Sequence, residues 1–157
     1  MKYVVGVDSG GSKTRALIVV LDGTPVDYAE TGGGNPAHNP QFKTALGDAI
    51  LRASKNIGIA NVVQVVSGIA GFDQPSDLEW AIEATTVEGL TADQIHVNDT
   101  EIAHFGAYSG SHGIVSIQGH GSNVLRSPKV VLGLRTRIFY ITRVAAPWSL
   151  RCVFILQ

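Results

Sequence analysis

The 157-residue sequence has a single cysteine, Cys152, which excludes an internal disulfide and a cysteine-rich metal site. Its five histidines lack the spacing of a zinc site, and no serine stands in the G-x-S-x-G motif of a hydrolase triad. The apolar stretch at the N-terminus is broken by Asp8, so it is too short for a signal peptide or a membrane span. These absences predict a cytoplasmic protein without a membrane segment.

Charge is also scarce. Only 16% of the residues are charged, and 12 Lys and Arg against 13 Asp and Glu leave a net charge of −1. A chain without a basic field is not expected to bind nucleic acid or an anionic membrane surface. The hydrophobic content of 45% predicts instead a globular chain that buries a core of its own.

The charges are distributed unevenly along the chain. Residues 1–101 contain 6 Lys and Arg and 13 Asp and Glu, whereas residues 102–157 contain 6 Lys and Arg and no acidic residue. Of the 18 glycines, 17 precede Pro128. The change near Lys129 predicts either an ordinary basic strand region or a tail that a frameshift or a truncation has produced.

Short apolar segments predict the strands. Asp22-Gly23, a dipeptide typical of hairpin turns, follows the second of them. The valine-rich segment Val62–Val66 is typical of a strand that is buried on both faces. The predicted strands are Tyr3–Val7, Arg15–Leu21, Pro25–Ala29, Val62–Val66 and Gln94–Asn98, with a later hairpin at Ile114–Gln118 and Asn123–Leu125.

Helix signals stand between these strands. Asn39 and Pro40 predict the N-cap and the first residue of a helix whose apolar residues recur at helical spacing until Gly58. Ser76 and Glu79 predict a capping box that opens a second helix, and a third helix is predicted over Thr100–Tyr108. The order β-β-β-α-β-α-β-α predicts an α/β fold with a mixed sheet of about five strands flanked by helices.

The first candidate site is the glycine-rich segment Gly6-Val-Asp-Ser-Gly-Gly-Ser-Lys-Thr14. Glycines let backbone N–H groups approach an anion, a lysine supplies a positive charge, and Asp8 is able to hold Mg²⁺ directly or through water. A Walker loop is excluded, because Ser12 separates Gly11 from Lys13 and the next segment predicts a strand. The segment therefore predicts a phosphate-binding turn, with a glycine hairpin that binds no ligand as the alternative.

The second candidate is Asp99, which follows a predicted strand and precedes a predicted helix. Ligands bind at the carboxyl ends of strands in α/β sheets, so Asp99 is placed to act as a general base toward an alcohol that attacks a phosphoryl group. The alternative is that Asp99 or Thr100 only caps the helix, since both residue types are favoured N-caps.

Two further loops combine glycines with polar side chains. Ile117-Gln-Gly-His-Gly-Ser-Asn123 is a second glycine and serine loop between strands, and two such loops in a domain of this size support each other. In Gly32-Gly-Gly-Asn-Pro36, the amide of Asn35 is able to donate to and accept from sugar hydroxyls, with a plain turn as the alternative.

Three segments in this order and spacing, GVDSGGSKTRALIVVLDG, VNDTEIA and IVSIQGHGSN, resemble the acetate and sugar kinase, Hsc70 and actin superfamily. Within it the chain resembles N-acetylglucosamine and glucosamine kinases, which are grouped with the benzoyl-CoA reductase-type (BadF/BadG-type) ATPases. GGGNPA and GIAGFD also look like segments of that family. The resemblance covers Met1 to about Ser127.

The resemblance implies two ribonuclease-H-like domains that close on ATP and Mg²⁺, with the sugar in the cleft between them. Residues 1–112 would form the N-terminal ribonuclease-H-like (actin-like) ATPase domain, and residues 113–128 the first hairpin of the second domain. Residues 129–157 resemble nothing in the family. We expect this apolar tail to promote self-association of the chain through open strand edges.

The same resemblance implies the roles of individual residues. Asp99 would be the catalytic base that deprotonates a sugar hydroxyl, and Asp8 would organise Mg²⁺. Asn35 would face the sugar, and Asn98 and Gly71 would be further cleft residues. The residues that would bind the nucleotide phosphates are Ser9, Gly10, Gly11, Ser12, Lys13, Thr14, Gly119, Gly121 and Ser122.

The predicted function is ATP-dependent phosphorylation of an amino sugar, with very weak catalysis by this chain alone because the second domain is short. One alternative is an ATPase activator of a CoA-ester reductase or dehydratase. Such proteins carry cysteines for an iron–sulfur cluster, whereas this chain has only Cys152. The other alternative is a remnant that binds a sugar or a phosphate without catalysis.

Overall fold

A mixed sheet with helices on both faces forms the main part of the structure. The computed structural model describes residues 1–108, 111–118, 122–127, 137–140 and 153–156. The strands are β1 Tyr3–Ser9, β2 Lys13–Val20, β3 Pro25–Gly32, β4 Val62–Ile69, β5 Asp93–Asn98, β6 Gly113–Gln118, β7 Ser122–Ser127, β8 Arg137–Tyr140 and β9 Val153–Leu156. The helices are α1 Phe42–Ser54, α2 Leu78–Thr85 and α3 Asp99–Tyr108.

The strand order of the main sheet is β3-β2-β1-β4-β5. The pairs β1–β2 and β2–β3 are antiparallel, and the pairs β1–β4 and β4–β5 are parallel. The meander is thus continued by two crossover connections, which contain α1 and α2. This is the predicted topology, and it confirms the α/β fold with a five-stranded mixed sheet.

One face of the sheet forms the hydrophobic core with α1 and α2. Alternate residues of each strand point to this face, and alanines on both helices let the helices pack closely on it. Each aliphatic side chain that is fully buried here contributes about 1.5–3 kcal/mol relative to an exposed one. The core consists of Val5, Val7, Ala16, Ile18, Ala29, Leu46, Ala49, Ile50, Ala53, Val62, Val65, Ile69, Ala81 and Ala84.

Helix α3 covers the opposite face. A Cβ atom at Gly68 would lie 2.3 Å from Cδ1 of Ile102, so the glycine lets this helix rest directly on the β4 backbone. Gly68 pairs with Asp8 on one side and with Val97 on the other. The close packing therefore brings the start of α3 next to the end of β1.

The predicted start of the first helix is wrong by two residues. Helix α1 begins at Phe42 after Gln41, not after Asn39, and it ends at Ser54, before Gly58. The Asn39 side chain is engaged elsewhere: its Oδ1 accepts from the Gln41 N–H (2.9 Å), and its Nδ2 donates to the Gly33 carbonyl (2.5 Å). Asn39 thus orders the turn before the helix and fastens the glycine segment to it.

The predicted capping box is also displaced. The reciprocal pair is Gln74 and Asp77, not Ser76 and Glu79, and it opens a short 3-10 turn that leads into α2. Asp77 Oδ2 accepts from the backbone N–H of Gln74 at 2.9 Å. Pro75 lacks an N–H and has a fixed φ, so it suits the first position of this turn.

The predicted later hairpin is present as the antiparallel pair β6–β7, with Gln118 opposite Ser122. The strands β8 and β9 form a second antiparallel pair. Most of the predicted tail lies outside the described residues, and its origin and its part in self-association stay predictions. Among the helices of the described ranges, none has the length and hydropathy needed to cross a membrane.

A small polar cluster joins α2 to β5. Nε2 of His96 lies 2.8 Å from Oγ1 of Thr85, and this hydroxyl lies 2.5 Å from Oε1 of Gln94 and 2.9 Å from the carbonyl oxygen of Ala81. The last two atoms only accept, so the hydroxyl donates to one of them and the imidazole Nε2–H donates to the hydroxyl. Burial lowers the pKa of His96, which favours the neutral ring in the folded chain.

Acidification is therefore expected to destabilise the chain through His96. The unfolded chain protonates this residue at about pH 6.5, whereas the folded chain binds the proton only at lower pH, so the free energy of unfolding falls as the pH drops below about 6.5. Urea unfolding at several pH values should show a smaller loss of stability in His96→Gln than in the wild type. The exposed His112 supplies a control: an equal change in His112→Gln would contradict this assignment.

Candidate functional site

The polar residues predicted from the sequence meet at one edge of the sheet. Strands β1, β4 and β5 are parallel, so their carboxyl ends lie side by side. Asp8 and Ser9 end β1, and Asn98 ends β5 directly before Asp99 at the start of α3. In open α/β sheets this edge is where ligands bind.

Asp99 lies in a partly desolvated and negatively charged environment. Burial is the main cause that raises the pKa of its carboxyl, and the charges of Asp8 and Asp73 raise the pKa further. The Thr100 N–H opposes this shift by donating to the carboxylate. The three carboxylates are thus close enough to interact, and Asp99 is a stronger base than a solvated aspartate.

The Asp8 carboxylate is half-buried on the same edge. Burial raises its pKa, and the positive charge of Arg15 partly offsets this effect. The Arg15 Nη1 atom is 3.8 Å from Asp8 Oδ2, which is a long ion pair. The negative charge of Asp8, at the end of β1, is therefore only weakly compensated by protein cations.

Asn98 joins two loops at this edge. Its Nδ2 donates to the Phe72 carbonyl (3.2 Å) and to Asp73 Oδ1 (2.7 Å), and its Oδ1 accepts from the Thr100 N–H (2.9 Å) and the Thr100 hydroxyl. The amide thus holds the segment after β4 and caps α3. This geometry gives Asn98 a supporting position behind Asp99.

The turn between β1 and β2 is built on buried hydroxyls. Ser9 Oγ and Thr14 Oγ1 share a 3.0 Å hydrogen bond, and both residues are 0% exposed. The Gly10 N–H donates to the Lys13 carbonyl at 2.9 Å and closes the turn. The hydroxyls of Ser9 and Thr14 therefore lie beneath the turn, whereas Ser12 and Lys13 are exposed at its surface.

The glycine segment at residues 32–34 packs against this turn. A Cβ at Gly33 would lie 2.1 Å from the Gly11 carbonyl oxygen, and one at Gly34 would lie 1.8 Å from Ser9 Oγ. The Gly34 N–H also donates to the Gly10 carbonyl at 3.0 Å. Only residues without a side chain allow this contact between the two segments.

Asn35 and Gly71 lie together beside the glycine segment. A Cβ at Gly71 would lie 3.2 Å from Asn35 Oδ1, and Gly71 has a φ of 88°, which favours glycine. Asn35 Oδ1 accepts from the Ala37 N–H at 2.8 Å. The structure thus brings these two predicted cleft residues into contact.

The sequence interpretation missed a cluster around Glu30 on β3. Its carboxylate accepts from Lys13 Nζ (2.6 Å), Arg15 Nε (3.2 Å) and the Tyr28 hydroxyl (3.1 Å). The hydrogen bonds from Lys13 and Arg15 are the main cause that lowers the pKa of Glu30, to about 2. The strand register places Arg15 opposite both Asp8 and Glu30. The sequence could have indicated this cluster only after the three strands had been aligned with one another.

Part of the predicted second phosphate loop lies outside the described residues. This is true of Gly119 and Gly121, while Ser122 is the first residue of β7. Over the ranges that the structure describes, no group of three His, Cys, Asp or Glu side chains is arranged to hold a metal ion.

This chain is similar in sequence to one known kinase and in fold to several solved structures. The chain is 32% identical over 126 residues to the N-acetylmuramic acid/N-acetylglucosamine kinase of Clostridium acetobutylicum, a match that covers 78% of the chain and 41% of that protein. Two structures provisionally named N-acetylglucosamine kinases, from Chromobacterium violaceum and Porphyromonas gingivalis, each have a TM-score of 0.61 at 22% and 24% identity. They are matched over 79% of this chain and over 44% and 43% of their own length.

The chain is therefore similar in sequence to part of an N-acetylmuramic acid/N-acetylglucosamine kinase, and it shares the fold of actin-like ATPases. It spans about two fifths of the length of these relatives. No protein-family model matches it.

The comparisons test the predictions from the sequence at the level of the fold and of the segments. The resemblance of the sequence segments is confirmed, and so is the actin-like fold that it implied. The roles of the individual residues stay predictions.

The contact between the two glycine segments is testable by substitution. Gly33→Ala is expected to destabilise the chain by about 2–3 kcal/mol, because relief of the contact with the Gly11 carbonyl requires a backbone shift. Gly32→Ala is the matched control, since a Cβ there meets nothing within 4 Å. Urea unfolding measures both variants, and an equal loss of stability in the two would contradict this account of the packing.

Proposed function

We propose that this chain binds ATP and an amino sugar, N-acetylglucosamine or glucosamine, and supplies the base and the first phosphate-binding turn for phosphoryl transfer. The observation that carries the proposal is the position of Asp8 and Asp99. They lie at the carboxyl ends of β1 and β5, the two strands on either side of β4, close enough that the charge of Asp8 raises the pKa of Asp99. Similarity to the kinase of Clostridium acetobutylicum supports this substrate class.

The residues at the end of β1 suit Mg²⁺. This ion usually keeps several waters and takes one or two carboxylates together with substrate phosphates, so a cluster of three protein ligands is not required. Burial raises the pKa of Asp8, and a cation beside it would offset the cost of burying its charge. Mg²⁺ held by Asp8 would neutralise charge on the phosphoryl oxygens.

The β1–β2 turn would bind the phosphates through backbone N–H groups and the ammonium group of Lys13. The buried pair of Ser9 and Thr14 holds the turn in shape, and Gly10 and Gly11 carry no side chain that would keep an anion away from it. Lys13 is 54% exposed and pairs with Glu30 at the surface. Surface ion pairs of this kind contribute only about 0–1 kcal/mol, so Lys13 is able to exchange Glu30 for a phosphate oxygen.

Asp99 would accept the proton of the sugar hydroxyl during transfer. As the hydroxyl oxygen forms its bond to the γ-phosphorus, the bond between that phosphorus and the oxygen of ADP breaks, and the proton passes to the Asp99 carboxylate. The raised pKa makes the carboxylate a better proton acceptor than a solvated aspartate. Asn98 fixes the start of α3 and therefore the position of this carboxylate.

The sugar would lie beside Asn35 and Gly71. Asn35 Oδ1 is already engaged by Ala37, while its Nδ2 group donates to no acceptor among the described residues. That amide is therefore available to donate to a sugar oxygen.

Asp99→Asn is expected to lower sugar-dependent ADP formation by about 10²–10⁴-fold, because the proton acceptor is lost. Glu101→Gln, in the exposed first turn of the same helix, removes the same charge and should retain the activity of the wild type. Coupled ADP release, together with titration calorimetry for MgATP and each sugar, measures transfer and binding separately.

Two outcomes would contradict the proposal. Saturable binding of sugar and MgATP by the wild-type chain without transfer would identify a binding remnant in place of a catalytic half. Absence of binding to MgATP and to both amino sugars would refute the assignment of the site.

A further inference from the structure

Three charged residues form a row across the first three strands. The register places Asp8 of β1 opposite Arg15 of β2, and Arg15 opposite Glu30 of β3. The guanidinium of Arg15 thus lies between two carboxylates. Its Nε donates to Glu30 Oε2 at 3.2 Å, whereas its Nη1 stays 3.8 Å from Asp8 Oδ2.

The two carboxylates differ in what they offer the arginine. Their side chains are about equally exposed, 36% for Glu30 and 35% for Asp8, but Glu30 is compensated by hydrogen bonds from Lys13 and Arg15, whereas desolvation dominates at Asp8 and Arg15 is its one ion-pair partner among the described residues. An arginine next to a partly desolvated carboxylate normally forms a short, bidentate pair with it. The long distance to Asp8 therefore requires something that holds the guanidinium on the other side.

Glu30 is equipped to do this. Its Oε2 accepts from Arg15 and from the Tyr28 hydroxyl, and its Oε1 accepts from Lys13, so Tyr28 still holds the carboxylate when Lys13 turns to a phosphate. The pKa of about 2 keeps Glu30 ionised at neutral pH. The arginine is therefore bound to a carboxylate that is itself held in place.

We propose that Glu30 is a positioning residue that holds Arg15 away from Asp8 and so keeps the Asp8 carboxylate open to the divalent cation that accompanies the nucleotide. The proposal rests on the proposed function for the role of Asp8. Without Glu30, the Arg15 guanidinium turns to Asp8, forms the short pair and competes with the cation.

The sharpest test compares ATP binding with and without Mg²⁺. In calorimetry, the ratio of the ATP affinity in Mg²⁺ to the ATP affinity in EDTA should fall about tenfold in Glu30→Gln, because Arg15 then occupies Asp8. Removal of a negative charge near the turn changes both affinities in the same direction, so the ratio separates the cation effect from the general charge effect.

The double variant gives the decisive comparison. Glu30→Gln combined with Arg15→Gln should restore the ratio to within about twofold of that of Arg15→Gln alone, because no guanidinium remains to cover Asp8. A residue that only stabilises the fold would show no such rescue. Asp27→Asn, which removes the same charge from β3 at a residue that pairs with Asn56, should leave the ratio unchanged.

An experiment without nucleotide separates this inference from the proposed function. A crystal structure of Glu30→Gln should show the Arg15 guanidinium within direct hydrogen-bond distance of Asp8. An Arg15 that stays at its present distance, or a ratio that does not change, would overturn the inference. If the wild-type chain binds no MgATP, the proposed function fails, and the position of Arg15 in the variant still decides whether Glu30 holds it.

Discussion

The parallel pairing of β1, β4 and β5 is the constraint on which the rest of the structure depends. It aligns the carboxyl ends of three strands that are far apart in sequence, and so it brings Asp8 near Asp99. Gly68 allows α3 to lie on the sheet between them. Burial is the main cause that raises the pKa of each carboxylate, and the charge of Asp8 raises the pKa of Asp99 further.

The β1–β2 turn is the second part of this edge, and close backbone packing holds it in place. The glycines at residues 32–34 rest on the β1–β2 turn, and the hydroxyls of Ser9 and Thr14 are enclosed beneath it. The turn is therefore fixed from below while its outer surface remains open. Strand β2 carries the cations Lys13 and Arg15, and both pair with Glu30 on β3.

Local sequence signals predicted the element types well and their ends less well. The hairpin dipeptide Asp22-Gly23 and the valine-rich segment Val62–Val66 predicted a turn and a buried strand correctly, because turn residues and β-branched apolar runs report local backbone preference and burial. The N-cap assignments failed at Asn39 and Ser76: α1 begins after Gln41 without a side-chain cap, and Gln74 and Asp77 form the capping box. Contacts outside the local segment determined where these helices begin. The Asn39 side chain donates to the Gly33 carbonyl, and Pro75 occupies the first position of the turn that precedes α2.

The sequence by itself determined the strand and helix order, the glycine-rich turn and the carboxylates that follow β1 and β5, because these depend on residue type and local spacing. Only the tertiary structure decided which polar groups meet. Asn98 accepts a hydrogen bond from the first turn of α3, and Glu30 accepts one from Arg15. The hydroxyls of Ser9 and Thr14 bond to each other in the interior. Side-chain partners depend on strand register and burial, which arise when distant segments pack and which no single segment encodes.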